Sequence, residues 1–152
     1  MIDIIVSEEF EGQVDAAMLE KAAQLALLRE SAPDPADLAI AIENDEQLRQ
    51  LNLQFLNVDS PTDVLSFPAN EQDPETGRLY LGDIIISLER ARAQSVVAGH
   101  PLESELQLLV VHGVLHLLGH DHYEPEEKAR MWAAQAEILN QLGLDIKKLP
   151  ED

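Results

Sequence analysis

Four of the chain's five histidines fall in one short run, His112-Gly113-Val114-Leu115-His116-Leu117-Leu118-Gly119-His120-Asp121-His122. Residues four apart share a helix face, so His112 and His116 present two imidazoles to one point. From Leu106 to Leu118 nearly every other residue is Leu, Val or Gly. A helix apolar on all sides is a buried helix. The chain must therefore build its fold around this segment. Gly119 can end the helix, because glycine alone takes the left-handed conformation at little cost, and the reversal can return His122 to the same point.

Unpartnered polar groups on a buried helix are costly, and metal ligation is one way to satisfy them. Three neutral imidazoles with a fourth position open to water form the ligand set of a catalytic zinc site. Structural zinc usually takes four protein ligands, often thiolates, and the chain has no cysteine. His120 or Asp121 could still close the shell, and a structural metal remains an alternative. The spacing resembles that of the metzincin proteases, H-E-x-x-H-x-x-G-x-x-H. Where those carry a glutamate base, this chain has Gly113, which can neither take nor give a proton. The run reads as a metal-dependent hydrolase of something other than peptide.

The length of 152 residues fits one domain, 1–152, with a single core. No apolar run is long enough to span a membrane, and Met1-Ile2-Asp3-Ile4-Ile5-Val6 lacks the basic region of a secretion signal. The absence of cysteine fits a reducing cytoplasm. The net charge is −19. That argues against a general polyanion binder, since nucleic-acid affinity comes largely from Lys and Arg contacts to phosphate. A local basic patch, or binding through a partner protein, stays open.

Periodicity and punctuation predict the order β α β α β β α α α. Ile2–Val6 and Leu38–Ile42 read as strands, and Val14–Arg29 as a helix broken by Pro33 and Pro35. Asn44 or Asp45 can cap a helix to about Phe55. Thr62–Phe67 has strand character bracketed by Pro61 and Pro68, and Leu79–Ile86 is the strongest β segment. Ser87 can cap a helix ending near Gly99, and Pro101 suits the first turn of the histidine helix. Pro125 opens a last helix with Ala129, Trp132, Ala136 and Leu139 on one face, and the tail from Lys147 is polar. The expected fold is α+β: a mixed four-stranded sheet packed with about five helices, the buried histidine helix central.

The histidine run, together with Ser60-Pro61-Thr62-Asp63-Val64-Leu65-Ser66-Phe67-Pro68 and Leu81-Gly82-Asp83-Ile84-Ile85-Ile86-Ser87, resembles the bacterial YbeY family over nearly the whole chain. The resemblance implies a cytoplasmic, single-strand-specific, metal-dependent endoribonuclease. Its role would be maturation of ribosomal RNA, above all the 3′ end of the small-subunit RNA, and ribosome quality control. It implies one zinc-like ion on His112, His116 and His122, with ribosomal RNA and the small subunit as partners. A basic ribosomal protein is a further candidate partner, and neither DNA nor membrane is expected. The chain departs from the family in one place that matters. The family usually has an arginine, thought to hold phosphate, where this sequence has Leu56 in Leu51-Asn52-Leu53-Gln54-Phe55-Leu56. Leucine has no charge and no donor, no Lys or Arg lies between Arg49 and Arg78, and Arg78, Arg90 or Arg92 could replace it in space. A smaller departure is His120, where the family often has tyrosine.

RNA hydrolysis needs an activated oxygen nucleophile, stabilisation of phosphorane charge and a proton for the leaving group, and a metal can serve the first two. Whether water or the RNA 2′-hydroxyl attacks stays open. His112, Asp121 and His120 are the candidate catalytic residues. Asp121 either orients an imidazole or is a turn residue after Gly119. His120 is either an acid–base group or an exposed loop histidine. Asp63 and Ser66 are candidate substrate-binding residues that line the cleft or else bond to backbone. Asp83 reads as a packing or hydrogen-bonding residue and Trp132 as core. Two other functions compete: a zinc hydrolase of small molecules or peptides, and a non-catalytic ribosome-assembly factor with a structural metal. Leu56 and the −19 charge favour the last.

Overall fold

Strand β1 (Ile2–Val6) turns Ile2, Ile4 and Val6 to the core and Asp3 and Ile5 outward, the period of two expected of a strand with one covered face. Strand β2 (Ala36–Glu43) repeats the pattern with Leu38, Ile40 and Ile42 fully buried. The structure is a computed structural model that describes residues 1–144, so the polar tail from Lys147 lies outside the described residues. Between these strands runs α1 (Ala16–Arg29), whose first turn is held by Asp15 accepting from the Ala17 N–H at 3.1 Å. Its small residues Ala22, Ala23 and Ala26 are fully buried and let it lie close to its neighbours.

Asn44 caps α2 (Asp45–Leu56) by accepting from the Gln47 N–H at 2.8 Å, and Asn57, at φ 57°, ends it. Strand β3 (Val64–Gln72) is longer than the sequence suggests, running through Pro68 instead of stopping at Phe67. It can do so because it is an edge strand, where a missing N–H need not break a ladder. Strand β4 (Leu79–Ser87) pairs antiparallel with β3 and parallel with β2, giving the order β1-β2-β4-β3. The β2–β4 register slips beside Gly82, whose φ is 143°. A Cβ there would stand 2.2 Å from the Phe67 carbonyl oxygen, so only glycine fits this bulge.

Ser87 ends β4 and caps α3 (Leu88–Ala98), which stops at Gly99. Pro101 occupies the cap position of α4 (Leu102–Leu117), and Pro125 begins α5 (Pro125–Gln141). The expected mixed four-stranded sheet and five α-helices are therefore present among the described residues. A short 3-10 turn at Glu8–Phe10 is additional. Every residue of α4 from Glu105 to Leu115 is buried. The helix packs on β3 and β4 and against α1, α3 and α5. Each fully buried Leu or Val contributes about 1.5–3 kcal/mol over exposure, so this helix anchors the core.

The inward face of α5 differs from the sequence expectation. Ala129 and Ala136 are exposed, and Met131, Ala134, Gln135, Ile138 and Leu139 are buried. The stripe is rotated by about one residue because a polar side chain, Gln135, occupies an interior position. Arg78, Arg90 and Arg92, the spatial candidates to replace the arginine missing at Leu56, are engaged elsewhere. Arg78 holds Asp37 at 2.6 Å, Arg90 holds Asp45 at 3.0 Å, and Arg92 donates to Gln13 at 3.0 Å. Leu56 itself is 57% exposed at the end of α2.

Candidate metal centre

The last turn of α4 carries His112 and His116 on one face. The helix ends in a reversal in which the Gly119 N–H reaches the His116 carbonyl at 3.0 Å and the His120 N–H reaches the Leu115 carbonyl at 2.9 Å. Gly119 has φ 97°, the left-handed conformation that lets the chain double back. His122 thereby joins the helical pair. One ring nitrogen from each of His112, His116 and His122 lies within 4.8 Å of the others.

The hydrogen bonds decide which nitrogens are available. His112, 1% exposed, donates from Nδ1 to Gln135 Oε1 at 2.6 Å. His116 donates from Nδ1 to the His120 carbonyl at 3.0 Å. An amide oxygen and a carbonyl only accept, so in the neutral rings both protons are on Nδ1. Both Nε2 atoms are then unprotonated, and they face each other 3.1 Å apart. Two acceptors cannot bond to each other, and a cation resolves the arrangement. Two tetrahedral zinc ligands at about 2.0–2.1 Å would stand roughly 3.3 Å apart, so the donor set fits such an ion. Burial, and after it His112 and His122, lowers the His116 pKa to about 4, so this ring is a neutral donor at neutral pH.

Trp132 is not simply a core residue. Its partly buried ring meets His112 and His122 edge-on, at centroid distances of 6.1 and 5.9 Å. Lys128 Nζ lies 5.5 Å from the same ring centroid. Tyr123, 83% exposed, stands 5.7 Å from the His122 ring.

The remaining sequence candidates have these positions. Asp121 accepts from the His122 backbone N–H at 2.7 Å, the turn role of its two readings. His120 is not an exposed loop residue: its ring is half-buried and bonded to Glu30, which also binds Arg29. Asp63 is buried and accepts from the Val64 N–H at 2.8 Å. Ser66 Oγ is 3.5 Å from the Gly113 carbonyl, which brings β3 beside the histidine helix. Asp83 accepts from the Tyr80 hydroxyl, the hydrogen-bonding role expected of it. Sequence reasoning missed Gln135 and Glu30. The one signal for Gln135 was an amide at helical spacing from Trp132, seven residues after Lys128.

A family model described as Endoribonuclease YbeY matches residues 4–143. The chain belongs to the endoribonuclease YbeY family. A YbeY protein of Roseiflexus sp. (strain RS-1) is 44% identical over 149 residues, covering 94% of this chain and 93% of that protein. One from Chloroflexus aurantiacus is 45% identical over 137 residues, covering 86% and 88%. A solution structure from Thermotoga maritima shares the fold, with a TM-score of 0.58, 24% identity, and coverage of 94% of this chain and 92% of that one. For this YbeY chain no helix among the described residues is long and apolar enough to cross a membrane.

Proposed function

We propose that this chain is a zinc-dependent endoribonuclease, specific for single-stranded RNA, that matures the 3′ end of small-subunit ribosomal RNA and serves ribosome quality control. Residues 1–152 act as one hydrolase domain in the cytoplasm. The observation that carries the reading is the pair of Nε2 atoms 3.1 Å apart, joined by His122, in a chain of an endoribonuclease family. His112, His116 and His122 hold the ion. When bound, it supplies a Lewis acid for the phosphoryl oxygen and for the attacking oxygen. Imidazole ligation favours zinc among the common divalent ions, although copper and nickel bind such sites too.

The protein's own groups position the ligands and the RNA. Gln135 and the His120 carbonyl fix two imidazole tautomers. Asp121 holds the reversal that brings His122 back. Ser66 stands on β3 beside the histidine helix and Asp63 directly precedes that strand, and the two are assigned to the lining of the RNA path. Tyr123 offers an exposed aromatic face next to a ligand, suited to an unstacked base. A paired base has no free face to offer it, which supports the single-strand preference.

Lys128 takes up part of the task that Leu56 cannot perform. Its ammonium stands over the tryptophan that packs on two of the ligands. Lys128→Ala is expected to weaken RNA binding uniformly across sequences and to reduce the salt slope of binding by about one. Titrating a labelled single-stranded RNA at several salt concentrations measures this, and an unchanged slope removes Lys128 from the RNA path.

The function itself is tested with an end-labelled precursor of small-subunit ribosomal RNA, comparing native, metal-stripped and zinc-restored protein. Cleavage is expected to disappear on stripping and return with zinc. Folded, fully metallated protein that cleaves nothing would instead favour an assembly factor with a structural metal.

A further inference from the structure

Gln135 is fully buried, yet its Nε2 has no hydrogen-bond partner among the described residues. Leaving a buried donor unmade costs about 1–3 kcal/mol, so stability alone does not account for an amide at this place. Its other end explains it. Oε1 accepts from His112 Nδ1 at 2.6 Å, inside the core, where no water competes. A ligating imidazole that donates its second N–H has its tautomer and ring orientation fixed by that bond.

We propose that Gln135 is the positioning residue of the metal centre: it holds the proton of His112 on Nδ1, so that Nε2 is the unprotonated ligand atom. Without an acceptor at this place, His112 can move its proton to Nε2, where His116 Nε2 would accept it. That alternative closes the metal site with an internal hydrogen bond. Gln135 therefore guards the site against its own collapse. Being neutral, it does so without adding negative charge next to the ion, as a carboxylate partner would. Trp132, three residues earlier on the same helix, holds the ring from its edge. Helix α5 thus contributes no ligand and still determines whether the ligands are usable.

The inference rests on the histidines being a metal site. The two can fail separately, because wild-type protein that takes up no zinc sinks the site, whereas a Gln135→Met protein that binds zinc as tightly as wild type sinks only this proposal. The test measures zinc affinity by competition with a chromogenic chelator for wild type, Gln135→Met and Gln135→Glu, with thermal midpoints of the metal-free proteins alongside. Methionine keeps the volume and removes both the acceptor and the orphan donor. Zinc affinity is expected to fall about 10–100-fold in Gln135→Met, the usual effect of losing such a partner, with the metal-free midpoint at or above wild type. Glutamate restores the acceptor, and its affinity is expected at or above wild type, since a carboxylate raises the basicity of the ring it holds. A loss of less than tenfold in Gln135→Met overturns the proposal, as does a Gln135→Glu protein that binds zinc more weakly than wild type. Should Gln135→Met fail to fold, the Gln135→Glu comparison decides alone.

Discussion

His112→Ala is expected to abolish RNA cleavage, by about three orders of magnitude or more, while the protein keeps its fold. A metal acting on a phosphoryl oxygen is worth several kcal/mol in the transition state, and each 1.36 kcal/mol is tenfold in rate. His112 is the right ligand to remove because it is the most buried of the three, and its loss also unmakes the partnership with Gln135. The two remaining imidazoles are a poor site on their own. The checks are single-turnover cleavage of an end-labelled single-stranded RNA, zinc content after dialysis, and circular dichroism. A folded variant retaining a tenth of wild-type activity would show that the histidines are not the hydrolytic centre.

Gly113→Glu, which writes the protease motif into this chain, is expected to destabilise the protein by about 4 kcal/mol or more and to yield no peptidase. The glycine marks more than a missing base. A Cβ at position 113 would stand 2.8 Å from Ile84 Cγ2 and 3.0 Å from its Cδ1. Ile84 is fully buried on a central strand and has no room to yield. Overpacking a core costs about 1–3 kcal/mol, and an unpaired buried carboxylate costs about 3–5 more. Against a total stability of about 5–15 kcal/mol, a fall in the thermal midpoint of at least roughly 8–16 °C follows for a chain of this size. Gly113→Ala isolates the packing part and should cost about 1–3 kcal/mol. A Gly113→Glu protein that melts with wild type would mean that α4 does not rest against β4 at this point.

Most of the architecture was legible because it is written locally. Asn44, Ser87 and Gly99 each announce a helix end by chemistry that needs only near neighbours, and alternation marks β1 and β2 on its own. The metal triad was legible for the same reason, since helix period and one glycine bring its members together. What escaped was whatever depends on contacts distant in sequence. Gln135 was missed because the inward face was read from Ala129, Trp132, Ala136 and Leu139 alone, and its partner lies 23 residues earlier. His120 looked exposed because its carboxylate partner, Glu30, belongs to α1, 90 residues away. Gly113 was read from the chemistry it lacks, whereas the close approach to Ile84 also forbids a side chain there. Strand β3 was cut short at Pro68 because proline's cost depends on whether a neighbour needs its N–H, and at a sheet edge none does.

All three imidazoles come from a single stretch, residues 112 to 122, so an ion held by them cross-links only a short loop. Closing a loop that short removes little chain entropy, and it ties no distant parts of the molecule together. An ion held there would work as a local clip on the end of α4 and its reversal, while the core around Ile40, Ile84 and Leu109 includes none of its three ligands. A chain built this way can complete its folding first and load afterwards. On the proposed function, its hydrolytic power would then be granted or withdrawn by metal supply, with the body of the protein intact in either condition.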